Sequence, residues 1–281
     1  MNIVGIPFDG AVLGRKGAKG GPTAIRQAML GFSNYNVELG VGLEGVRVFD
    51  LGDLAVANGV LKAHKQIESE VTLDLEGSSL LAILGGDNSI SLPSLRAFDE
   101  KFGEVGLIVL DSHLDLRGKI GGMPTSGSSY GLAVDSLEGL DSRRVVEIGI
   151  HGFLNSKKYY AKAKKRGIKL YTAKDVGDLG TTSTAKEAYQ IASKGAEAVY
   201  LSVDLDVVDI SFVSGVSAPS VGGISSQQLF ELVYEITRQP KVKCVDLVEL
   251  APSLDPSEKS QRVAATTLVC MIAGFASRKR G

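Results

Sequence analysis

Histidine is scarce in this sequence: three in 281 residues, at His64, His113 and His151. That number excludes a metal site built from several imidazoles. Cysteine is scarcer still. Cys244 and Cys270 each stand alone in an apolar stretch, which fits buried, reduced thiols of a cytoplasmic protein and not a disulfide framework. Charge of either sign is not in excess: 31 basic and 32 acidic side chains leave a net charge of -1. No electrostatic footprint for nucleic acid or an anionic membrane surface follows from that balance. No uncharged apolar run approaches the roughly 18 residues of a membrane-spanning helix. The first residues, MNIVGIPFDG, lack the basic start and long apolar stretch of a secretory signal. There is no internal repeat, low-complexity linker or change of composition along the chain. The expectation is a single domain over residues 1–281, with 44% apolar residues to build its core.

What is present is an alternation. Short apolar runs rich in β-formers occur at Asn2–Ile6, Val46–Leu51, Ser79–Leu84, Val105–Leu110, Val145–Ile150, Ala198–Val203 and Lys243–Val248. Ile168–Tyr171 is a shorter one. These read as buried strands. Between them lie helical stretches at Pro22–Leu30, Val60–Leu73, Ser89–Phe102, Ser156–Lys165, Thr184–Lys194, Ser226–Thr237 and Ser257–Ala276, the last with Ser257 as its expected N-cap. Apolar strands alternating with helices imply an α/β fold with a parallel sheet of seven or eight strands covered on both faces. The terminal Arg278, Lys279 and Arg280 read as a solvated tail.

Ligands of such sheets bind outside the carboxyl ends of the strands, and four of those ends carry chemistry. Asp111-Ser112-His113-Leu114-Asp115 follows GLIVL. Asp204-Leu205-Asp206, with Asp209 beyond, follows VYLSV. In extended backbone alternate residues share a side, so Asp111, His113 and Asp115 group together, as do Asp204 and Asp206. Four carboxylates and one imidazole brought together would repel one another unless cations compensate. A carboxylate-rich set with a single imidazole suits Mn²⁺ or Mg²⁺ better than zinc. Two ions about 3.5–4 Å apart could supply a hydroxide at neutral pH. The other ends are Gly85-Gly86-Asp87-Asn88-Ser89, whose paired glycines permit close backbone approach, and Glu249 after CVDLV.

In family order, GIPFDG, GGDNS, DSHLD, SVDLDVVD, Ser217-Ala218-Pro219, Gly222-Gly223 and DLVEL resemble the motifs of the ureohydrolase family of arginases, agmatinases and formimidoylglutamases. The resemblance implies a three-layer α/β/α sandwich around an eight-stranded parallel sheet, a soluble homo-oligomer (trimer or hexamer), and two Mn²⁺ ions. It also implies that Asp111 and Asp204 bridge the ions, that His113 and Asp206 complete one site, and that Asp115 belongs to the other. The family's G-G-D-H-S histidine is Asn88 here, an amide and a weaker ligand, so one ion is expected to be weakly held. Asp209 is expected to support the ligands from behind.

Asp115-Leu116-Arg117 followed by Thr125-Ser126-Gly127-Ser128-Ser129-Tyr130 looks like the formimidoylglutamase branch. Tyr130 stands where arginases carry a histidine. The resemblance implies a metal-dependent hydrolase that cleaves a C–N bond of N-formimidoyl-L-glutamate to give glutamate and formamide. Asp115 and Glu249 would be catalytic. Arg117, Ser126, Ser128, Tyr130, His151 and Glu249 would contact substrate, with the Arg117 fork gripping a carboxylate. The alternatives are a guanidino hydrolase of agmatinase or arginase type releasing urea, or a member with weakened metal binding and a non-catalytic role. A zinc deacetylase on a related sheet is disfavoured by the scarcity of histidine.

Overall fold

The structure is a computed structural model that describes residues 1–278. Its strands are β1 (Asn2–Gly5), β2 (Tyr35–Asn36), β3 (Val41–Gly42), β4 (Phe49–Asp53), β5 (Leu81–Leu84), β6 (Val105–Leu110), β7 (Leu140–Ile150), β8 (Lys169–Thr172), β9 (Ala198–Asp204) and β10 (Val242–Val248). Eight of them form one sheet in the order β4-β1-β5-β10-β9-β6-β7-β8, every pairing parallel. β2 and β3 make a small antiparallel hairpin apart from it.

The central strands are buried on both faces because their side chains alternate between two apolar layers. In β6, Leu107 and Val109 join one cluster while Ile108 and Leu110 join the other. On the first face pack α2 (Val60–Glu76), α3 (Ser91–Phe102), α4 (Ser129–Ser136) and α5 (Lys157–Arg166), through Ile67, Leu95, Tyr130 and Ala163. On the second pack α1 (Gly21–Met29), α6 (Ala173–Leu179), α7 (Thr181–Ala192), α8 (Ser226–Thr237) and α9 (Lys259–Ala276), through Ile25, Val176, Ala188, Leu232 and Leu268. The result is the expected three-layer α/β/α sandwich. At its centre β5 and β6 are separated by β10 and β9. The carboxyl ends of these four neighbouring strands carry all four segments that the sequence singles out.

Four expectations are corrected. The strand placed at Val46–Leu51 is β4, shifted to Phe49–Asp53 and exposed along its whole length, because it is the sheet edge. α4 and α6 escape sequence reading because they are short, eight and seven residues. Ser257 does not cap α9. The Asp255 carboxylate does, accepting from the Ser260 amide at 2.9 Å while Ser257 Oγ donates to its other oxygen at 2.5 Å. Arg278 is docked and not solvated: its guanidinium donates to the carbonyls of Thr237 at 2.9 Å and Val242 at 2.8 Å and lies over the Phe275 ring. Lys279 and Arg280 lie outside the described residues. Among the described residues no helix is long and apolar enough to cross a membrane. Both cysteines are free and buried.

Candidate metal centre

The end of β6 delivers Asp111 fully buried. One of its carboxylate oxygens accepts from the His113 amide at 2.6 Å and lies 3.4 Å from His113 Nδ1. Its other oxygen is buried without a hydrogen-bond partner. The end of β9 delivers Asp204, whose Oδ1 accepts from the Asp206 amide at 2.9 Å. It also delivers Asp206, whose Oδ2 stands 3.0 Å from His113 Nδ1. Ser112 Oγ donates to Asp206 Oδ1 at 2.8 Å and lies 3.0 Å from His113 Nδ1. Ligand atoms of Asp111, His113 and Asp206 lie within 4.8 Å of one another.

Asp115 and Glu249 reach the site from the left-handed region of backbone space, at φ 44° and φ 70°. That conformation is unfavourable for a residue with a side chain, and such outliers concentrate where function over-determines the geometry. Asp115 accepts from Asn88 Nδ2 at 2.7 Å. Glu249 accepts from the Asn88 amide at 2.7 Å on one oxygen and from the Ser217 hydroxyl on the other. The Gly85-Gly86 pair brings this turn against the loop after β1. A Cβ on Gly86 would overlap the Phe8 carbonyl, and the Asp87 amide donates to that carbonyl at 2.7 Å. The Asp87 carboxylate accepts from the amides of Ala11 and Ser89, both at 2.9 Å, locking loop and turn together.

These groups face a cavity of about 200 Å³ lined by His113, Asp115, Asp204, Asp206, Glu249 and Ser217, with Arg117 and Ser126 among its other walls. Arg117 is exposed, and its guanidinium lies 6.0 Å from the centre of the Tyr159 ring. Three expected substrate contacts are corrected. Ser128 is buried in a capping box with Thr125, its Oγ accepting from the Thr125 amide at 2.8 Å. Tyr130 is fully buried behind Asn88, with its hydroxyl 3.0 Å from Asn88 Oδ1 and 2.9 Å from Ser202 Oγ, so it does not reach the cavity. His151 lines a neighbouring cavity and is held by the Gly149 carbonyl and Ser220 Oγ, both at 2.7 Å. Asp209 accepts from the amides of Ser211 at 2.9 Å and Gly222 at 2.7 Å, bracing the loop that carries Ser217. Sequence reasoning did not single out Ser112 and Ser217 as polar partners. Their signal was their place inside the motifs, beside Asp111 and ahead of Ala218-Pro219.

The electrostatics are those of unrelieved negative charge. Burial, with Asp206 and Asp115 nearby, pushes Asp111 well above the usual carboxylate range. Burial and the charges of Asp206 and Asp111 do the same to Asp204. Burial raises Asp115 to about 6. Burial, with Asp87 nearby, raises Glu249 to about 8. Burial opposes the His113 cation, but Asp206 and Asp111 outweigh it and push that imidazole up to about 12. The His113 cation, in turn, overcomes burial at Asp206 and lowers it.

This donor set fits divalent cations. The Asp111 oxygen without a partner, the raised carboxylates and the hard oxygen donors are the pattern that a bound Mn²⁺ or Mg²⁺ would neutralise. Asn88 fits less simply. Its Nδ2 faces two acceptors, Asp115 Oδ2 and the Ser126 carbonyl, at 2.7 and 3.3 Å, and its Oδ1 faces the hydroxyls of Tyr130 and Ser91. The carboxamide therefore presents nitrogen, which cannot ligate, on the side of the ion site.

Known proteins resemble this chain over nearly its whole length. A formimidoylglutamase of Halalkalibacterium halodurans is 33% identical over 277 residues, covering 98% of this chain and 86% of that protein. The crystal structure of formimidoylglutamase from Bacillus subtilis superposes with a TM-score of 0.93 at 31% identity, covering 99% of this chain and 87% of that one. A formiminoglutamase of Trypanosoma cruzi crystallised with Mn²⁺ superposes with a TM-score of 0.92 at 30% identity, covering 99% of this chain and 93% of that one. The sequence model of the Arginase family matches residues 1–274, and the chain belongs to that family.

Proposed function

We propose that the protein is a manganese-dependent hydrolase of linear amidines, cleaving N-formimidoyl-L-glutamate into glutamate and formamide. The observation that carries this reading is one cavity holding a buried carboxylate cluster with a single imidazole, a strand-end glutamate, and an arginine at its wall. Asp111 and Asp204 would bridge two ions, His113 and Asp206 would complete one site, and Asp115 would serve the other. Asn88 joins the ligands only if its carboxamide turns. When bound, the ions lower the pKa of a water and so supply a nucleophile at neutral pH.

The chain's own groups do the rest. The Glu249 carboxylate, held by Ser217 and the Asn88 amide, pairs with the cationic NH groups of the amidine and turns its carbon towards the ion site. Asp115 moves the proton to the departing nitrogen. Ser126 walls the cavity beside Asp115. The Arg117 fork takes a carboxylate of the glutamate portion. Agmatine has no carboxylate for it, which disfavours agmatine as the substrate.

The exposed apolar side chains of Phe49 and Leu51 on the β4 edge support a homo-oligomer, and the trimer or hexamer is the assembly that the family resemblance implies. The reduced thiols support a cytoplasmic site. Mn²⁺-loaded protein offered formimidoylglutamate, arginine, agmatine and guanidinobutyrate should turn over the first best. No turnover above an Asp206→Ala control would overturn the catalytic reading. Fewer than about one ion per chain after Mn²⁺ dialysis would favour the non-catalytic one.

A further inference from the structure

The geometry points to Tyr130 as a positioning residue for Asp115, acting through the carboxamide of Asn88. The inference rests on the metal reading above and deepens it, because it concerns residues that stand where the family motif and the arginases carry histidines. Tyr130 and Asn88 are 42 positions apart in sequence, yet they touch at 3.0 Å.

The hydrogen-bond accounting fixes the direction. Asp115 Oδ2 and the Ser126 carbonyl can only accept, so Asn88 must turn its nitrogen to them and its oxygen to the hydroxyls of Tyr130 and Ser91. Tyr130 then gives its only proton to Asn88. Behind it, the Tyr130 oxygen lies 2.9 Å from Ser202 Oγ, and Ser202 Oγ donates to Asp246 Oδ1 at 2.5 Å. A continuous line of polar contacts runs from the fully buried Asp246 through Ser202, Tyr130 and Asn88 to Asp115. Its far end holds one carboxylate oxygen of Asp115, leaving the other for the ion and the substrate.

The test is a double-mutant cycle on Tyr130 and Asn88 with two readouts: Mn²⁺ binding followed by electron paramagnetic resonance and calorimetry, and steady-state kinetics. Tyr130→Phe should weaken one of the two ions about tenfold, in line with the effect of groups that orient metal ligands, and leave the other unchanged. It should lower kcat for formimidoylglutamate while KM stays within about twofold. In an Asn88→Ala background, Tyr130→Phe should have no further effect on either quantity, because the residue through which it acts is gone. Equal effects in both backgrounds, or a Tyr130→Phe protein that only melts earlier, would overturn the inference. Ser202→Ala should reproduce the weakening of the same ion in milder form, and an unchanged affinity there would count against the chain. A wild-type protein that binds no Mn²⁺ would overturn the metal reading and this inference together. Additive effects with Mn²⁺ binding intact would overturn this one alone.

Discussion

The unrelieved charge at the strand ends makes the stability of the protein depend on the cation in a way that one substitution should reverse. Asp111 is buried with an oxygen that has no hydrogen-bond partner, and it faces Asp206 and Asp115. In Asp111→Asn, a neutral amide replaces a carboxyl that burial and its acidic neighbours raise, while Oδ1 still receives the His113 amide. Each tenfold rise in a carboxyl's proton affinity on folding costs the folded state about 1.4 kcal/mol at neutral pH, so the metal-free variant should gain at least about 1 kcal/mol. At roughly 2 °C per kcal/mol for a chain of this size, its Tm should rise by about 2 °C.

With Mn²⁺ the order should invert. An ion at 100 times its Kd stabilises the native state by about 2.7 kcal/mol, or about 5 °C in the wild type by the same conversion. Asp111→Asn, lacking the bridging charge, should gain much less. Scanning calorimetry of both proteins, in chelator and in a Mn²⁺ titration, reads the crossover directly. A variant that melts below the wild type in chelator would refute the repulsion argument. Equal Mn²⁺ shifts in both proteins would place the ion somewhere else.

Replacing Arg117 by Met should raise KM for formimidoylglutamate about tenfold, the loss of one charge-assisted contact at an exposed position, with kcat little changed in steady-state assays. Asn88→His should tighten Mn²⁺ binding by about 10–100-fold in a calorimetric titration; an unchanged affinity would remove Asn88 from the neighbourhood of the ion. Burial holds His64 down to about 4. Its unfolded counterpart therefore binds a proton first as pH falls, and up to about 3 kcal/mol of stability present above pH 6.5 is lost between pH 6.5 and 4. Urea melts of His64→Gln across that window should lose this slope, and an identical slope would show that other groups produce it.

The strand ends were legible because a buried parallel strand is a near-continuous apolar run, and a charged residue stops it abruptly, as at Leu110-Asp111, Val203-Asp204 and Val248-Glu249. The order of strands across the sheet is a long-range property, and the motifs gave the number of strands and their parallel sense but not that order. Local signals failed where pairing decides. β4 resembles a buried strand in composition and is exposed because nothing lies beyond it. α4 begins in Ser129-Tyr130-Gly131, a poor helix sequence held by the Thr125–Ser128 cap. The orientation of the Asn88 carboxamide was illegible for the same reason: it is set by Asp115, Ser126 and Tyr130, each 27 to 42 positions away. Ser128 and Tyr130 sit in a motif that suggests substrate contact, and the fold uses both as internal struts instead.

The left-handed backbone at Asp115 and Glu249 bears on how this protein would respond to laboratory evolution. Each position keeps a side chain where glycine is most at ease, a burden of order 1–3 kcal/mol, and each carries an acid whose pKa burial raises. A screen for heat tolerance alone would therefore be drawn to these two codons, and glycine there would yield a sturdier but inert protein. Selection for robustness and selection for turnover pull in opposite directions at the same two places.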